Sequence, residues 1–258
     1  MTEYIQNFIR FRPLLNELVA RDIKIKYRRS VLGVFWTLLN PLLMMIVLSV
    51  VFSNLFKFDV ENFPIYLLSG QIIFTFYSDS TNGAMTSILG SASLIKKVYM
   101  PKYLFVISRI CSSVINLAAS FSALLIVMVA MRVDLHYTMF LAVVPIILLV
   151  VFSLGIGMIL AAITVKFRDI MHLYSVFVTA LMYLTPVIYP MSILPSWLAM
   201  LVNLNPLTNY LTMFRDVMLY NNVFGIDVLC IGIVEALISL VVGLYVFYRN
   251  QDTFILNL

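Results

Sequence analysis

Charge is scarce in this sequence, and the scarcity limits what the protein can be. Of the 258 residues, 11% are Asp, Glu, Lys or Arg, whereas an average soluble domain has about 25%. Hydrophobic residues make up 62%. Uncharged stretches such as residues 30–56, 135–165 and 170–214 exceed the roughly 20 residues that a helix needs to cross a bilayer core. These features exclude a soluble enzyme, a nucleic-acid-binding domain and a secreted disulfide scaffold. The sequence predicts an all-α polytopic membrane protein.

Cysteine, histidine and the common catalytic motifs are also rare or missing. The two cysteines, Cys111 and Cys230, lie in separate apolar runs, which favours small core residues over a redox or metal site. His136 and His172 are isolated, and neither H-E-x-x-H nor G-x-S-x-G occurs. The chain also lacks G-x-x-x-x-G-K-[ST], the loop that holds nucleotide phosphates. We therefore expect no catalytic residue, metal or cofactor in this chain.

The apolar segments predict six transmembrane helices, at residues 31–56, 64–89, 103–131, 138–165, 170–189 and 228–248. An even number of spans places both termini on the same side of the membrane. Of the 17 Lys and Arg residues, 14 fall on that side, so the positive-inside rule predicts cytoplasmic termini. The chain then divides into an N-terminal segment (residues 1–30), a transmembrane domain (31–248) and a cytoplasmic tail (249–258).

Residues 14–29 predict an amphipathic helix that lies along the cytoplasmic surface of the membrane. Leucine, isoleucine and valine occupy one half of the helical projection, while Asp22 and Lys26 interrupt that half. The basic residues of this segment are Arg21, Lys24, Lys26, Arg28 and Arg29. The alternative is a solvated basic tail that only sets the orientation of the protein.

Two short apolar pieces lie between the fifth and sixth predicted spans. Pro195 and the pair Asn205-Pro206 interrupt this stretch, and its two apolar pieces, residues 193–204 and 207–220, contain 12 and 14 residues. At about 1.5 Å per residue, neither piece crosses the hydrocarbon core. We expect two re-entrant helices that dip into the membrane from outside. The alternatives are two further crossings or a surface loop.

A polar run interrupts the second span. Residues 78–82 are Ser-Asp-Ser-Thr-Asn, a sequence that is unfavourable against lipid and is expected to face protein, water or a polar ligand. On the same helix, Tyr66, Ser69 and Tyr77 fall close to one face, with Phe74 nearby. Hydroxyls beside aromatic rings suit a sugar, which offers both hydroxyl groups and apolar C–H faces. The alternative is a run that is solvated at the inner interface.

Two further features have open interpretations. Glu235, in the sixth span, is a second intramembrane acid, and we expect it to pair with Arg109 or a backbone group, although a proton site is the alternative. The loop of residues 94–102 is basic but also contains Val98, Tyr99 and Met100. Topology accounts for its lysines and not for its apolar residues, so the loop predicts a protein partner.

Taken together, these segments resemble the permease subunits of ABC type-2 exporters, in the branch that exports O-antigen, capsule and teichoic-acid polymers. The resemblance follows chain order through nearly the whole sequence. The segments that carry it are residues 21–33 (RDIKIKYRRSVLG), Trp36, Asn40-Pro41, Leu68-Ser69-Gly70, residues 94–102, residues 167–170 (FRDI), residues 184–190 (LTPVIYP), residues 205–208 (NPLT) and Phe214-Arg215.

The resemblance implies a homodimer with six spans per protomer, bound to two copies of a separate ATPase subunit that holds ATP and Mg. It implies a multi-pass location in a bacterial or archaeal cytoplasmic membrane and a lipid-linked polysaccharide as substrate. The basic N-terminal helix would contact the ATPase and attract the lipid pyrophosphate. The ATPase-coupling residues would be Leu94, Ile95, Lys96, Lys97, Val98, Tyr99, Met100, Pro101 and Lys102.

The same resemblance implies a polymer path between protomers along the first, second and fifth spans. The residues expected on this path are Trp36, Tyr66, Ser69, Phe74, Tyr77, Ser78, Asp79, Tyr174 and Tyr183.

Three rival functions follow from the same residues. A proton-coupled transporter would use Asp79 and Glu235 and need no ATPase. An ABC type-2 exporter of drugs or lipids shares the architecture and predicts small apolar substrates. A membrane-embedded glycosyl- or acyltransferase would need clustered acids or a histidine pair, which the sequence does not supply.

Overall fold

The computed structural model describes residues 2–28, 30–56, 60, 62–98 and 100–257, and in these ranges every regular element is helical. The α-helices are α1 (Thr2–Tyr27), α2 (Trp36–Phe56), α3 (Phe63–Gly90), α4 (Ala92–Ile95), α5 (Tyr103–Ala130), α6 (Val143–Lys166), α7 (Ile170–Leu184), α8 (Ser196–Asn203), α9 (Pro206–Met218), α10 (Ile226–Asn250) and α11 (Phe254–Asn257). Short 3₁₀ turns cover Gly33–Phe35, Tyr137–Ala142, Met191–Ile193 and Gln251–Thr253. The prediction of an all-α protein is confirmed.

Each of the six predicted spans coincides with a helix, but the helices differ in how well they suit a membrane crossing. Within the described residues, four apolar segments are long enough to cross, at Trp36–Ser53, Tyr103–Ala130, Tyr137–Lys166 and Ile226–Thr253. The polar residues of α3 lower its hydropathy, and α7 has only 15 residues. Length and composition therefore establish a multi-pass membrane protein and leave the count of six as a prediction.

Helix α3 lies at the centre of the bundle. It packs against α5 and α6, and also contacts α2, α7 and α9, while α6 packs along α10 and α1 packs on α5. Because its neighbours surround α3, most of its side chains are buried, including Ser80 and Thr81. Both hydroxyls donate to the carbonyl of Tyr77 in the preceding turn of their own helix. This central position lets a helix with so many polar residues remain inside an apolar bundle.

Contacts at the helix ends define the two ends of the bundle. Lys102, just before α5, donates to the carbonyl of Gln251, after α10. Lys166, which ends α6, donates to the side chain of Asn250 at 2.7 Å. We call this the terminal end. At the opposite end, the Thr138 hydroxyl donates to the carbonyl of Val217 at 3.1 Å.

Helices α6 and α10 approach each other closely because small residues line their contact. A Cβ atom added at Gly155 would collide with the backbone of Ser239, and one added at Gly243 would collide with the backbone of Gly155. The hydroxyl of Ser239 donates to the carbonyl of Phe152 at 2.9 Å, which adds a polar bond across this contact. Small residues of this kind are common where membrane helices pack backbone to backbone.

We predict that Gly155→Ala separates α6 from α10, because the added methyl group has no space, and lowers the free energy of unfolding by about 1–3 kcal/mol. The measurement is the thermal midpoint of the detergent-solubilised protein. Gly90→Ala is the matched control, since nothing lies within 4 Å of its added Cβ. The close contact would be refuted if both variants kept the wild-type midpoint.

Candidate functional site

A cavity of about 580 Å³ lies between α2, α3 and α5, and Lys26 in the last turn of α1 and residues around the end of α7 complete its wall. The lining combines aromatic, amide and hydroxyl side chains with apolar ones. The residues that line it are Lys26, Trp36, Thr37, Asn40, Pro41, Met44, Gln71, Ile72, Phe74, Thr75, Phe76, Ser78, Asp79, Ser113, Asn116, Leu117, Ser120, Met182 and Val187.

The polar side of this cavity comes from the spacing of residues along α3. Gln71, Thr75 and Asp79 recur every four residues, so they lie on one face of the helix. Helix α5 contributes hydroxyl and amide groups opposite this face, among them Ser113 and Asn116. The cavity has hydrogen-bonding groups on several walls, and the aromatic side chain of Trp36 also lines it. This combination suits a ligand that has both hydroxyl groups and apolar faces.

A second cavity of about 320 Å³ lies next to the first, towards the terminal end. The two share four residues in their walls: Lys26, Asp79, Ser113 and Asn116. The ammonium group of Lys26 is 3.7 Å from a carboxylate oxygen of Asp79, and each side chain is about half exposed. Such a partly exposed ion pair contributes little to stability. Its position marks it as the charged boundary between the two cavities.

The second cavity also adjoins a buried ion pair that attaches α1 to the bundle. The Asp22 side chain is 2% exposed, and Nε of Arg109 lies 3.4 Å from Oδ2, within ion-pair range but without hydrogen-bond geometry. Arg21 donates to the other carboxylate oxygen at 3.2 Å. Asp22 therefore interrupts the apolar face of α1 because that position faces α5.

The expected pairing of Glu235 with Arg109 is wrong. Arg109 pairs with Asp22 instead, and Glu235 accepts a hydrogen bond from the amide of Asn209 at 3.2 Å. The pattern misled because Glu235 and Arg109 both stood inside predicted spans, whereas Asp22 stood in the surface segment.

Arg215 forms the most extensive buried polar contact at the opposite end. Its side chain donates to the Ser69 hydroxyl at 3.2 Å and to the carbonyls of Tyr66, Pro186 and Val187 at 3.0, 2.7 and 3.1 Å. The guanidinium carbon lies 3.5 Å from the centre of the Tyr66 ring, in cation–π geometry. Among the described residues no carboxylate pairs with Arg215, so backbone carbonyls and one ring solvate its charge.

The predicted path residues fall into two groups in the structure. Trp36, Phe74, Ser78 and Asp79 line the larger cavity. The others are absent from the walls of both cavities: Tyr66, Ser69, Tyr77 and Tyr174 are buried in packing contacts, and Tyr183 is exposed.

The packed group has intramolecular partners that account for its burial. Tyr66 donates to the carbonyl of Tyr189 at 3.0 Å, and Tyr174 donates to the Thr81 hydroxyl at 2.6 Å. The Tyr77 ring stacks on Phe152 with the centroids 6.0 Å apart. A path role for these side chains stays a prediction, and the geometry favours the group that lines the cavity.

The pair of short helices predicted before the last span exists as α8 and α9. Pro195 precedes α8, and Pro206 opens α9, a position where its missing N–H is no loss. The side chain of Asn205 caps α9 by accepting from the Leu207 amide at 3.1 Å, and it donates to the Thr185 hydroxyl at 2.8 Å. Their re-entrant path through the membrane stays a prediction.

The predicted coupling segment, residues 94–102, forms part of the terminal end. Ile95 is buried, whereas Lys96, Lys97 and Val98 are exposed. Leu94, Met100 and Pro101 are half-buried. Lys102 lies over the Phe254 ring, 5.7 Å from its centre, in addition to its bond to Gln251. Tyr99 lies outside the described residues.

Most of the basic residues predicted at the membrane interface are solvent-accessible. Lys24, Lys26 and Arg28 are exposed and Arg21 is half-buried, while Arg29 lies outside the described residues.

Sequence reasoning missed Gln71, Thr75 and Asn116 as cavity residues and did not assign a role to Arg215. The four-residue spacing from Gln71 through Thr75 to Asp79 was a readable signal. Arg215 stood out as a lone cation at the end of a long uncharged stretch and as part of the Phe214-Arg215 segment that carries the resemblance.

Comparisons with known proteins point in one direction. The family described as "ABC-2 type transporter" matches residues 13–219. The chain is 30% identical to the O-antigen export system permease protein RfbA of Myxococcus xanthus, over 84% of each chain. It is 24% identical to RfbA of Klebsiella pneumoniae, over 93% of each chain. It is 22% identical to the capsule polysaccharide export inner-membrane protein CtrC of Neisseria meningitidis, over 83% of this chain and 82% of that protein. The family match includes every residue that lines the two cavities.

We predict that Arg215→Met destabilises the fold by at least about 3 kcal/mol, because it leaves several buried carbonyls without a donor. Arg215→Lys keeps the charge but loses the planar guanidinium group. Its thermal midpoint should therefore fall between those of the Arg215→Met variant and the wild type. Thermal unfolding in detergent measures both. Arg249→Met, at the exposed end of α10, is the control. A wild-type midpoint for Arg215→Met would contradict this role.

We also predict that Asp22→Ala loosens α1 from α5, because it leaves Arg109 without its buried partner. The readout is maleimide labelling of Leu18→Cys, a position 3% exposed in the native protein, in a Cys111→Ala, Cys230→Ala background. The labelling rate should rise at least about tenfold, the effect of 1.4 kcal/mol. Glu17→Ala removes an exposed acid from the same helix and should leave the rate unchanged. Equal rates in both variants would show that the ion pair does not hold α1.

Proposed function

The chain belongs to the ABC-2 type transporter family, and we propose that it is the permease subunit of an ATP-driven exporter of a lipid-linked polysaccharide. The relatives whose names state a substrate are O-antigen and capsule exporters, and we propose a polymer of that class. We place the protein in the cytoplasmic membrane of a bacterium or archaeon, with six crossings and both termini in the cytoplasm.

The observation that carries this proposal is the larger cavity. It lies inside a bundle of membrane helices, yet Gln71, Asn40 and Asn116 supply amides to its wall and Trp36 supplies an aromatic ring. A site for a drug or a lipid would need few of these polar groups. Sugars, in contrast, use both hydrogen bonds and ring contacts, so this lining supports a glycan substrate.

We propose that two copies of the chain enclose the polymer path. Of the Trp36–Ser53 segment of α2, only 6% is buried within one protomer. On α7, Leu173, Val176 and Phe177 are also exposed. These two helices border the cavity and carry exposed apolar surface in the described part of the single chain, so a second copy that packs on them would complete the wall of the path.

A separate ATPase subunit is the second proposed partner, present in two copies and holding ATP and Mg. This sequence contains no P-loop, and we propose that the energy for export comes from another chain. Lys96, Lys97 and Val98 form an exposed, mixed basic and apolar surface at the terminal end, which suits a protein contact. We propose that the ATPase docks on this surface.

The proposed mechanism follows from the position of the coupling segment in the chain. Residues 91–102, which include α4 and the coupling segment, connect α3 to α5, and these two helices form facing walls of the cavity. When ATP binding closes the ATPase subunits, displacement of this segment would shift α3 relative to α5 and change the width of the path. The exposed cations Lys24, in the last turn of α1, and Arg28, just after that helix, would hold the lipid pyrophosphate at the entrance.

The test combines purification with deletion in the native host. A tagged chain that is purified gently should bring down a P-loop ATPase in a fixed ratio. Deletion of its gene should remove the polysaccharide from the cell surface and leave lipid-linked glycan inside the cell. A chain that purifies without an ATPase while export continues, or normal surface polysaccharide after deletion, would contradict the proposal.

Val98→Asp tests the docking surface, because a carboxylate there is unfavourable in an apolar contact with the ATPase. The yield of co-purified ATPase should fall by at least about tenfold, equivalent to 1.4 kcal/mol. Val223→Asp makes the same change at an exposed loop position between α9 and α10 at the opposite end and should keep the ATPase. Equal loss in both variants would show general damage and not a docking contact.

A further inference from the structure

Gln71 is a buried residue whose side-chain carbonyl oxygen, Oε1, has no hydrogen-bond partner among the described residues. The residue is 8% exposed, its Oε1 atom is enclosed, and no hydrogen bond to its side chain is found in the described part of the chain. A buried carboxamide that forms no hydrogen bond is unfavourable, because it has lost water without gaining a replacement. Most buried polar groups in proteins have such a replacement, so this exception calls for a physical reason.

The position of Gln71 supplies that reason. The residue lies in the wall of the larger cavity, about 12 Å along α3 from Phe63 at a rise of about 1.5 Å per residue. The terminal torsion of a glutamine side chain is broad, so the carboxamide can turn towards the cavity without leaving its rotamer well. A ligand in the cavity would then provide the donor that Oε1 lacks.

The rest of the lining defines the chemistry of that ligand. Around Gln71, the walls hold neutral polar groups from three helices, such as Asn40, Thr75 and Ser120, together with the Trp36 ring. The charged lining residues, Lys26 and Asp79, pair with each other at the boundary with the second cavity. A volume of about 580 Å³ is within the range of about 300–1,000 Å³ for small-ligand sites. A neutral ligand with several hydroxyl groups and an apolar ring face fits this lining.

We propose that the cavity is a sugar-binding site within each protomer, in which Gln71 hydrogen-bonds a ring hydroxyl while Trp36 packs against the ring. Gln71 is then a specificity-determining residue, because an apolar chain or a ring without a hydroxyl at this point leaves the carboxamide unpaired. The proposal rests on the proposed function, since it identifies where one sugar of the exported polymer is held.

The two tryptophans of the chain, Trp36 and Trp197, provide the experiment. In a Trp197→Phe variant of the full chain, Trp36 is the remaining tryptophan and reports directly on the cavity. The protein is placed in phospholipid nanodiscs and titrated with octyl β-glucoside below its micelle concentration. Octyl tetraoxyethylene, which has the same tail and no sugar, is titrated in parallel. We expect a saturable change in Trp36 fluorescence with octyl β-glucoside and no such change with octyl tetraoxyethylene.

Gln71→Met and Gln71→Glu separate recognition from packing. The methionine variant should weaken glucoside binding by about tenfold and raise the thermal midpoint of the ligand-free protein, because it removes an unpaired buried group. The glutamate variant keeps a hydrogen-bond acceptor and should bind within about threefold of wild type. Thr86→Val, which removes an exposed hydroxyl from the same helix, should change neither quantity.

The opposite results would overturn the proposal. Equal responses to both detergents, or unchanged glucoside binding in Gln71→Met, would remove Gln71 as a sugar contact. A Gln71→Met protein that fails to fold or melts earlier would show that the carboxamide has a structural partner. If Trp36 reports no binding while gene deletion abolishes export, this inference fails and the proposed function stands. If Trp36 reports glucoside binding while gene deletion leaves export intact, the proposed function fails and the sugar site stands.

Discussion

One buried guanidinium organises the end of the bundle opposite the chain termini. Arg215 of α9 donates to the start of α3 and to the loop that follows α7, and it stacks on Tyr66. Bringing a full charge into an apolar bundle is unfavourable unless its donors are satisfied, so the surrounding carbonyls must hold their positions. Gly70 is part of this constraint, since an added Cβ would lie 2.7 Å from the Arg215 guanidinium. Three separate segments thereby become one rigid unit.

That rigid unit also determines how the cavity is closed. Val187, which accepts from Arg215, is one of the cavity-lining residues, and Gln71 directly follows the glycine against which the guanidinium packs. The far wall is therefore fixed by the arginine, whereas the proposed coupling segment lies between α3 and α5 at the terminal end. A bundle that is held at one end and driven at the other can transmit motion to the space between its helices.

The positions of the helices could be predicted from the sequence, whereas the contacts between side chains of different helices could not. Long apolar runs and the two prolines at Pro195 and Pro206 predicted the crossing segments and the short pair α8 and α9, because hydrophobic length and helix breakers are local properties. The partner of Arg109 and the surroundings of Arg215 depend on which helices pack together, and one sequence does not contain that information. Of the predicted path residues, Trp36 lines the cavity, whereas others, such as Tyr66, pack elsewhere. The sequence does not distinguish an aromatic residue that lines a cavity from one that packs between helices.

The two ion pairs beside the smaller cavity differ in their response to ionic strength. At about 0.15 M salt the Debye length is about 8 Å, and mobile ions weaken exposed pairs far more than buried ones. Lys26 and Asp79 are about half exposed, whereas Asp22 beside Arg109 is nearly enclosed. At high ionic strength, α1 therefore keeps its attachment to α5 while the charged contact between the two cavities weakens. Ionic strength would then alter access between the cavities without detaching α1 from the bundle.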